Sequence, residues 1–182
     1  EGDEVQEGQP LIVLESVQVD ASENMLQKQL VALLAAQTRS AAQKGLKTDF
    51  TWPEELISLA ASAHSEDVLA NERKIFTARR EALDGQISLL KSQIAQIDAQ
   101  ILGYQDQMQA EQSIIGTLNE ELKAKRQLYE ERYLEKSQIL ELERMLASHE
   151  GNRGRMKQSI AEARQKKAEL LLRIEDAKNR FV

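Results

Sequence analysis

The side chains best equipped for chemistry are few, and their spacing does not suit it. His64 and His149 are the only histidines, there is no cysteine, and the two histidines are far apart in sequence and lack any metal-ligand spacing. Thiolate sites and disulfides are excluded with the cysteines. Carboxylates abound, 30 Asp and Glu in all, but a helical pattern sets them on solvated faces, and no nucleophile stands beside a base. The glycine-containing start, Gly2-Asp3-Glu4-Val5-Gln6-Glu7-Gly8, is not a phosphate-binding pattern, and no Gly-rich phosphate loop precedes a helix. These residues predict no enzyme, no metal and no cofactor.

The elements explain where the polar residues belong. From Leu69 through Phe76, Leu83, Ile87, Leu90 and Ile94 to Tyr129, an apolar side chain returns three, four or seven positions on, and the pattern resumes from Ile139 to Phe181. Sustained beyond four heptads, that period means helices supercoiled on a partner. The interval between the runs is short, so the first helix finds its partner in the second, folded back antiparallel. The fold class predicted is mainly α: a long antiparallel coiled-coil hairpin with an additional N-terminal helix and a small β segment. The helices are expected at about 21–44, 53–61, 66–131 and 137–181, with the hairpin tip at about 130–137. At 1.5 Å per residue the long helix spans ~100 Å, roughly the sum of the first and the returning ones. The first helix is therefore expected along the N-terminal third of the long one and the returning helix along the rest, with both chain ends meeting at the junction.

Seven polar residues interrupt the seam: Arg73, Arg80, Glu111, Lys125, His149, Arg153 and Lys167. They set register, with long stems along the seam and charged heads in water, or they align neighbouring copies side by side. Gly151 and Gly154 fall inside the helical pattern, where each costs about 1 kcal/mol against Ala; they are expected to mark a bend or a close approach of two backbones.

Composition supports a rod over a globular core. Of 182 residues only three Phe, three Tyr and one Trp are aromatic, and 30% are charged. The balance of 24 basic against 30 acidic side chains, interspersed along the helices, argues against nucleic acid or an anionic membrane as partner. No stretch approaches the ~20 apolar residues of a membrane span. The chain opens at Glu1 in mid-phrase and is taken as an excerpt of something longer.

Residues 1–15 differ from the rest, with two glycines, a proline and then Leu11 to Leu14. That is strand and turn chemistry, and so short a β segment needs a sheet to complete it. Gly45 is expected to end the first helix in the left-handed position. Pro53 with Glu54 and Glu55 predicts a helix start, and the hydroxyl of Ser65 is expected to cap the long helix. Phe50 and Trp52 are expected to plug the intervening turn. At the tip, Leu128, Tyr129, Tyr133 and Leu134 crowd apolar surface where no core covers it, which suits a partner.

Taken together these stations resemble the HlyD-type membrane fusion proteins, the periplasmic adaptors of type I secretion systems. The resemblance rests on Glu1 to Leu11, Pro53 to Leu56, Glu72 to Arg79, Leu128 to Ser137 with Glu141 to Arg144, and Gly151 to Gly154 with Ile160 and Ala161. It implies that residues 1–19 are the first half of a lipoyl-like β module and 20–182 the helical domain, the second half lying beyond Asn179 to Val182. No lysine occurs in 1–15, so no lipoyl or biotin is implied. The implied partners are an ABC transporter, a TolC-like outer-membrane channel and copies of the chain in a hexameric ring, with an inner-membrane anchor outside this chain and a protein as cargo. Carried onto this sequence, the channel-facing residues are Leu128, Arg132, Tyr133, Leu134, Lys136 and Ser137. Many relatives have Gly where this chain has Arg132. The competing readings are an adaptor of a small-molecule efflux pump and a structural coiled-coil scaffold.

Overall fold

The computed structural model describes residues 17–182. The strand segment expected over 1–15, and with it the lipoyl-like half-module, lies outside the described residues. Four helices follow in order: α1 Val17–Lys44, α2 Glu54–Ser62, α3 Glu66–Glu130 and α4 Lys136–Phe181. α3 and α4 are the arms of the long helical hairpin, and α1 is the additional N-terminal helix. α1 takes in Val17 to Val19, which the sequence reading left with the β module. The chain divides into two compact units, one of residues up to Ala82 together with Phe181 and Val182, the other of Leu83–Arg180.

In the first unit α1 and α3 run in the same direction, with α2 doubling back between them. Arg39 of α1 pairs with Glu72 of α3, and the Arg80 guanidinium donates to the carbonyl oxygens of Leu46 at 2.9 Å and Lys47 at 3.3 Å. Val31 and Ala35 of α1 are fully buried against Leu56 and Ala60 of α2, Ala63 and Leu69. At the other end of this unit Ala42, Phe50 and Phe76 form a second cluster with Trp52 and Phe181. The Phe50 ring lies edge-on to Trp52 and Phe76 at 4.7 and 4.8 Å between centroids, so the aromatic residues plug the turn as expected. The offset of those pairs sets Val31 level with Ser65, and α1 before that point reaches past the start of α3. Met25, Leu26 and Leu30 are accordingly exposed, which limits α1's packing on α3 to its C-terminal half. It is the C-terminal end of α1 that lies beside Phe181; the expected meeting of both chain ends at that junction falls on residues outside the described ones.

Three helix ends share one device. The Lys47, Ser65 and Tyr133 amides donate to the carbonyl oxygens of Ala42, Ala60 and Leu128, and the preceding Leu46, His64 and Arg132 amides to Gln43, Ala61 and Tyr129. These paired bonds are Schellman caps. Their left-handed residues are Leu46, His64 and Arg132, with φ of 50°, 49° and 65°. Gly45 is thus one position too early; the strained place falls to Leu46. Pro53 is the residue before α2 rather than its first, with Glu54 and Glu55 in the first turn. The Ser65 hydroxyl does not cap α3: it donates back to the Ala63 carbonyl at 3.0 Å.

The second unit is the hairpin proper. Leu90, Ile115 and Leu122 of α3 and Ile139, Leu142, Ile160, Ala163 and Ile174 of α4 are buried, each worth about 1.5–3 kcal/mol for a Leu or Ile relative to exposure. Polar pairs fix the antiparallel register: Arg126 with Glu143 at 2.7 Å, Arg153 with Gln112 at 2.6 Å, and Lys167 with Asp98 at 2.7 Å. Glu111 sits between His149, whose Nδ1 lies 2.6 Å from Oε2, and Asn152, whose amide donates to Oε1 at 3.1 Å. Four of the interrupting seam residues, Glu111, His149, Arg153 and Lys167, therefore set register. Gly151 and Gly154 lie inside the unbroken α4, and a Cβ at either would meet nothing within 4 Å. They mark no close approach within the chain.

Candidate partner-binding site at the hairpin tip

The tip is built on a small cluster. Leu122, Ile139 and Leu142 are buried together, and Leu118, Leu134 and Leu146 pack against them. Directly behind, the Arg126 and Glu143 ion pair ties the arms to each other. The Schellman cap ending α3 throws residues 131–135 across the end of the hairpin, and α4 restarts at Lys136. There the Gln138 amide donates to the Glu135 carbonyl at 3.2 Å, and the Ser137 hydroxyl to the Glu135 carboxylate at 3.3 Å.

This geometry sorts the predicted contact residues. Tyr133 is 79% exposed, Leu128 43% and Tyr129 41%, while Arg132, Lys136 and Ser137 are also exposed. The turn thus gathers two tyrosines and a leucine, flanked by cations, with Tyr133 largely uncovered and Leu128 and Tyr129 partly so. Leu134 is placed differently: it turns inward onto the Leu122 cluster. Leu140, 45% exposed and one turn beyond Lys136, was missed; its sequence signal was its place one residue off the inner seam marked by Ile139. Tyr129, named among the crowded residues, was left out of the channel-facing set although it is exposed.

Among the described residues no group of His, Asp or Glu is placed to hold a metal ion, and no helix is long and apolar enough to cross a membrane. What the tip offers is apolar and aromatic area, the surface that partners bury.

Residues 19–182 match the family model described as AprE, long alpha-helical hairpin. The chain belongs to this family. The order of helices is that of a long helical hairpin, and the match accords with the likeness to HlyD-type membrane fusion proteins. A curated relative, the type I secretion system membrane fusion protein PrsE of Rhizobium meliloti (strain 1021), is 29% identical over 174 residues, which is 96% of this chain and 40% of PrsE. The chain thus spans well under half of that relative's length. In fold it is similar to the soluble domain of LipC, a membrane fusion protein of a type I secretion system, with a TM-score of 0.81, 22% identity, and coverage of 96% of this chain and 84% of the LipC chain.

Proposed function

We propose that this chain is the helical part of a periplasmic adaptor in a type I secretion system, joining an inner-membrane ABC transporter to a TolC-like outer-membrane channel for export of a protein. The observation that carries this reading is the tip, where Tyr133, Leu128 and Tyr129 are held exposed on a capped turn at the end of a stiff hairpin. The descriptions of PrsE and LipC support the adaptor class. On this reading the tip docks on the periplasmic end of the channel, copies of the hairpin stand side by side in a ring, and the activity is binding. Residues 1–16 would supply the first half of a lipoyl-like module, and the membrane anchor lies in another part of the protein.

These 182 residues contain no cysteine, so an introduced thiol is unique within them. Tyr133→Cys in the full-length protein, paired with single cysteines around the periplasmic end of the channel, is the test. A crosslink in cells is the expected result. With the protein expressed and a control pair reacting, absence of any crosslink at Tyr133→Cys and at Lys136→Cys would remove the tip from the channel and with it the adaptor reading.

A further inference from the structure

The arms of the hairpin are not packed evenly along their length. Toward the tip Leu122, Ile139 and Leu142 are buried as one cluster, and away from it Ile160, Ala163 and Ile174 of α4 are buried again. Among the described residues, α4 buries no apolar side chain between Leu142 and Ile160, and α3 buries only Ile115 between Leu90 and Leu122. The cross-hairpin pairs show that these gaps coincide. Gln112 stands opposite Arg153 and Asp98 opposite Lys167, which sets residues 109–119 of α3 beside 146–156 of α4.

A chain of polar groups fills the gap. Arg155 donates to the Asn152 side-chain oxygen, the Asn152 amide donates to Glu111 Oε1 at 3.1 Å, and Glu111 Oε2 lies 2.6 Å from His149 Nδ1. The His149 and Glu111 side chains remain 29% and 20% exposed, so water can compete for the bonds between them, and what each contributes net is small. Beside this network a groove of about 490 Å³ opens, with Met108 of α3 and Gly154 and Ile160 of α4 in its lining.

Both helices are weak at this same level. On α3 the Ser113, Thr117 and Asn119 side chains donate to the carbonyl oxygens four residues back at 3.1, 3.2 and 2.9 Å, around Gly116. Such back-bonding competes with the helix amides and bends helices. On α4, Gly151 and Gly154 flank Asn152 and Arg153. A Cβ at any of these three glycines would meet nothing within 4 Å, so packing does not require them to be small; what they supply is a helix that deforms easily.

We propose that this layer is a joint, where α3 and α4 loosen together while the hairpin stays closed on both sides of it, so that the tip has lateral play. Few buried apolar contacts, solvent-accessible polar bonds and weak helix formers on both arms are the properties of a segment that opens locally. The joint goes beyond the function proposed above and does not depend on it.

Hydrogen exchange on the full-length protein tests it. Peptides over 108–117 and 147–156 should exchange about tenfold or more faster than those over 120–127 and 158–166. Gly151→Ala with Gly154→Ala should slow both fast segments by about tenfold, α3 together with α4, whereas Gly103→Ala, with the same intrinsic helix gain outside the layer, should leave them as they are. Glu111→Leu with His149→Leu should also slow both, an apolar pair closing the seam. Even exchange along the hairpin, an alanine effect confined to α4, equal slowing by Gly103→Ala, or faster exchange in the leucine pair overturns the proposal. Play is read with spin labels at Glu141→Cys and Glu169→Cys, about 42 Å apart across the layer. Their distance distribution should be broad and should narrow in the alanine pair; a width that the alanines leave unchanged overturns it. A missing crosslink at Tyr133→Cys would remove the channel contact and leave these results intact, so the two failures are distinguishable.

Discussion

Arg132 occupies the left-handed cap position of the hairpin turn at φ 65°, where an L side chain costs roughly 1–2 kcal/mol and Gly costs little. Arg132→Gly should therefore raise stability by about 1 kcal/mol, read as a higher urea midpoint with the same slope; a lower midpoint would mean that the arginine makes a contact worth more than the strain. Leu46→Gly should gain less, because Leu46 buries about two thirds of its surface. The strain at Leu46 was not legible in sequence, since Gly45 drew the left-handed assignment and a capped helix can end one residue later. Glu111 is a second residue whose environment matters. The hydrogen bond with His149 holds its carboxyl below the ordinary value, partial burial opposes this, and Asn152, the charge on His149 and Arg155 assist. A lowered folded-state value means that the contribution is present above the unfolded value and is lost as pH falls through the folded one. The stability difference between the parent chain and Glu111→Gln should therefore shrink as pH falls through the acid carboxylate range. A difference that persists unchanged below that range would show that ionisation of Glu111 is not its source.

Among the elements, the periods of α3 and α4 were legible because each buries one stripe against one partner, and a stripe is what a sequence displays. The direction of α1 was not, because its apolar positions fix a face and not a sense of travel; that depends on residues 45–53, which are held by distant arginines. Arg73 donates to Asp49 at 2.8 Å and to the Phe50 carbonyl at 2.7 Å, with its guanidinium 4.5 Å from the centre of the Phe50 ring. Arg80 takes the last carbonyls of the α1 cap. Two polar interruptions of the seam are thus clamps that pin the connecting turn to α3. Arg73→Ala should cost about 1–2 kcal/mol, and Arg73→Lys should recover little of it, because one ammonium cannot donate to both oxygens while lying flat on a ring. Hydrogen exchange should locate the loss in residues 46–53 for both variants. Equal protection of that segment in Arg73→Lys and the parent would reduce the clamp to simple charge pairing.

For the molecule as a whole, the family was legible because its stations are spread along the chain in a fixed order, whereas the tip was legible only in outline. Crowded apolar residues at a turn announce a site without saying which face outward, and that is settled by the cap at Arg132, which exposes Tyr133 and turns Leu134 in. Leu134 stood among the channel-facing candidates, which would make Leu134→Asp the first variant to try. With Leu134 packed on Leu122, Ile139 and Leu142, an aspartate there sets a carboxylate against an apolar cluster, and the hairpin end should loosen by about 2 kcal/mol or more. Its secretion defect would therefore not separate binding from folding. Tyr133→Asp makes that separation. The side chain is 79% exposed, so its loss should move the thermal midpoint little, within about 0.5 kcal/mol. If the tip docks through apolar area, a buried charge at its most exposed aromatic should reduce export at least tenfold, the cost of one unpaired group at a partner surface. Stable Tyr133→Asp that exports normally, with Leu128→Asp and Lys136→Asp equally silent, would assign the exposed tip to solvent and move the search for the channel contact elsewhere on the hairpin.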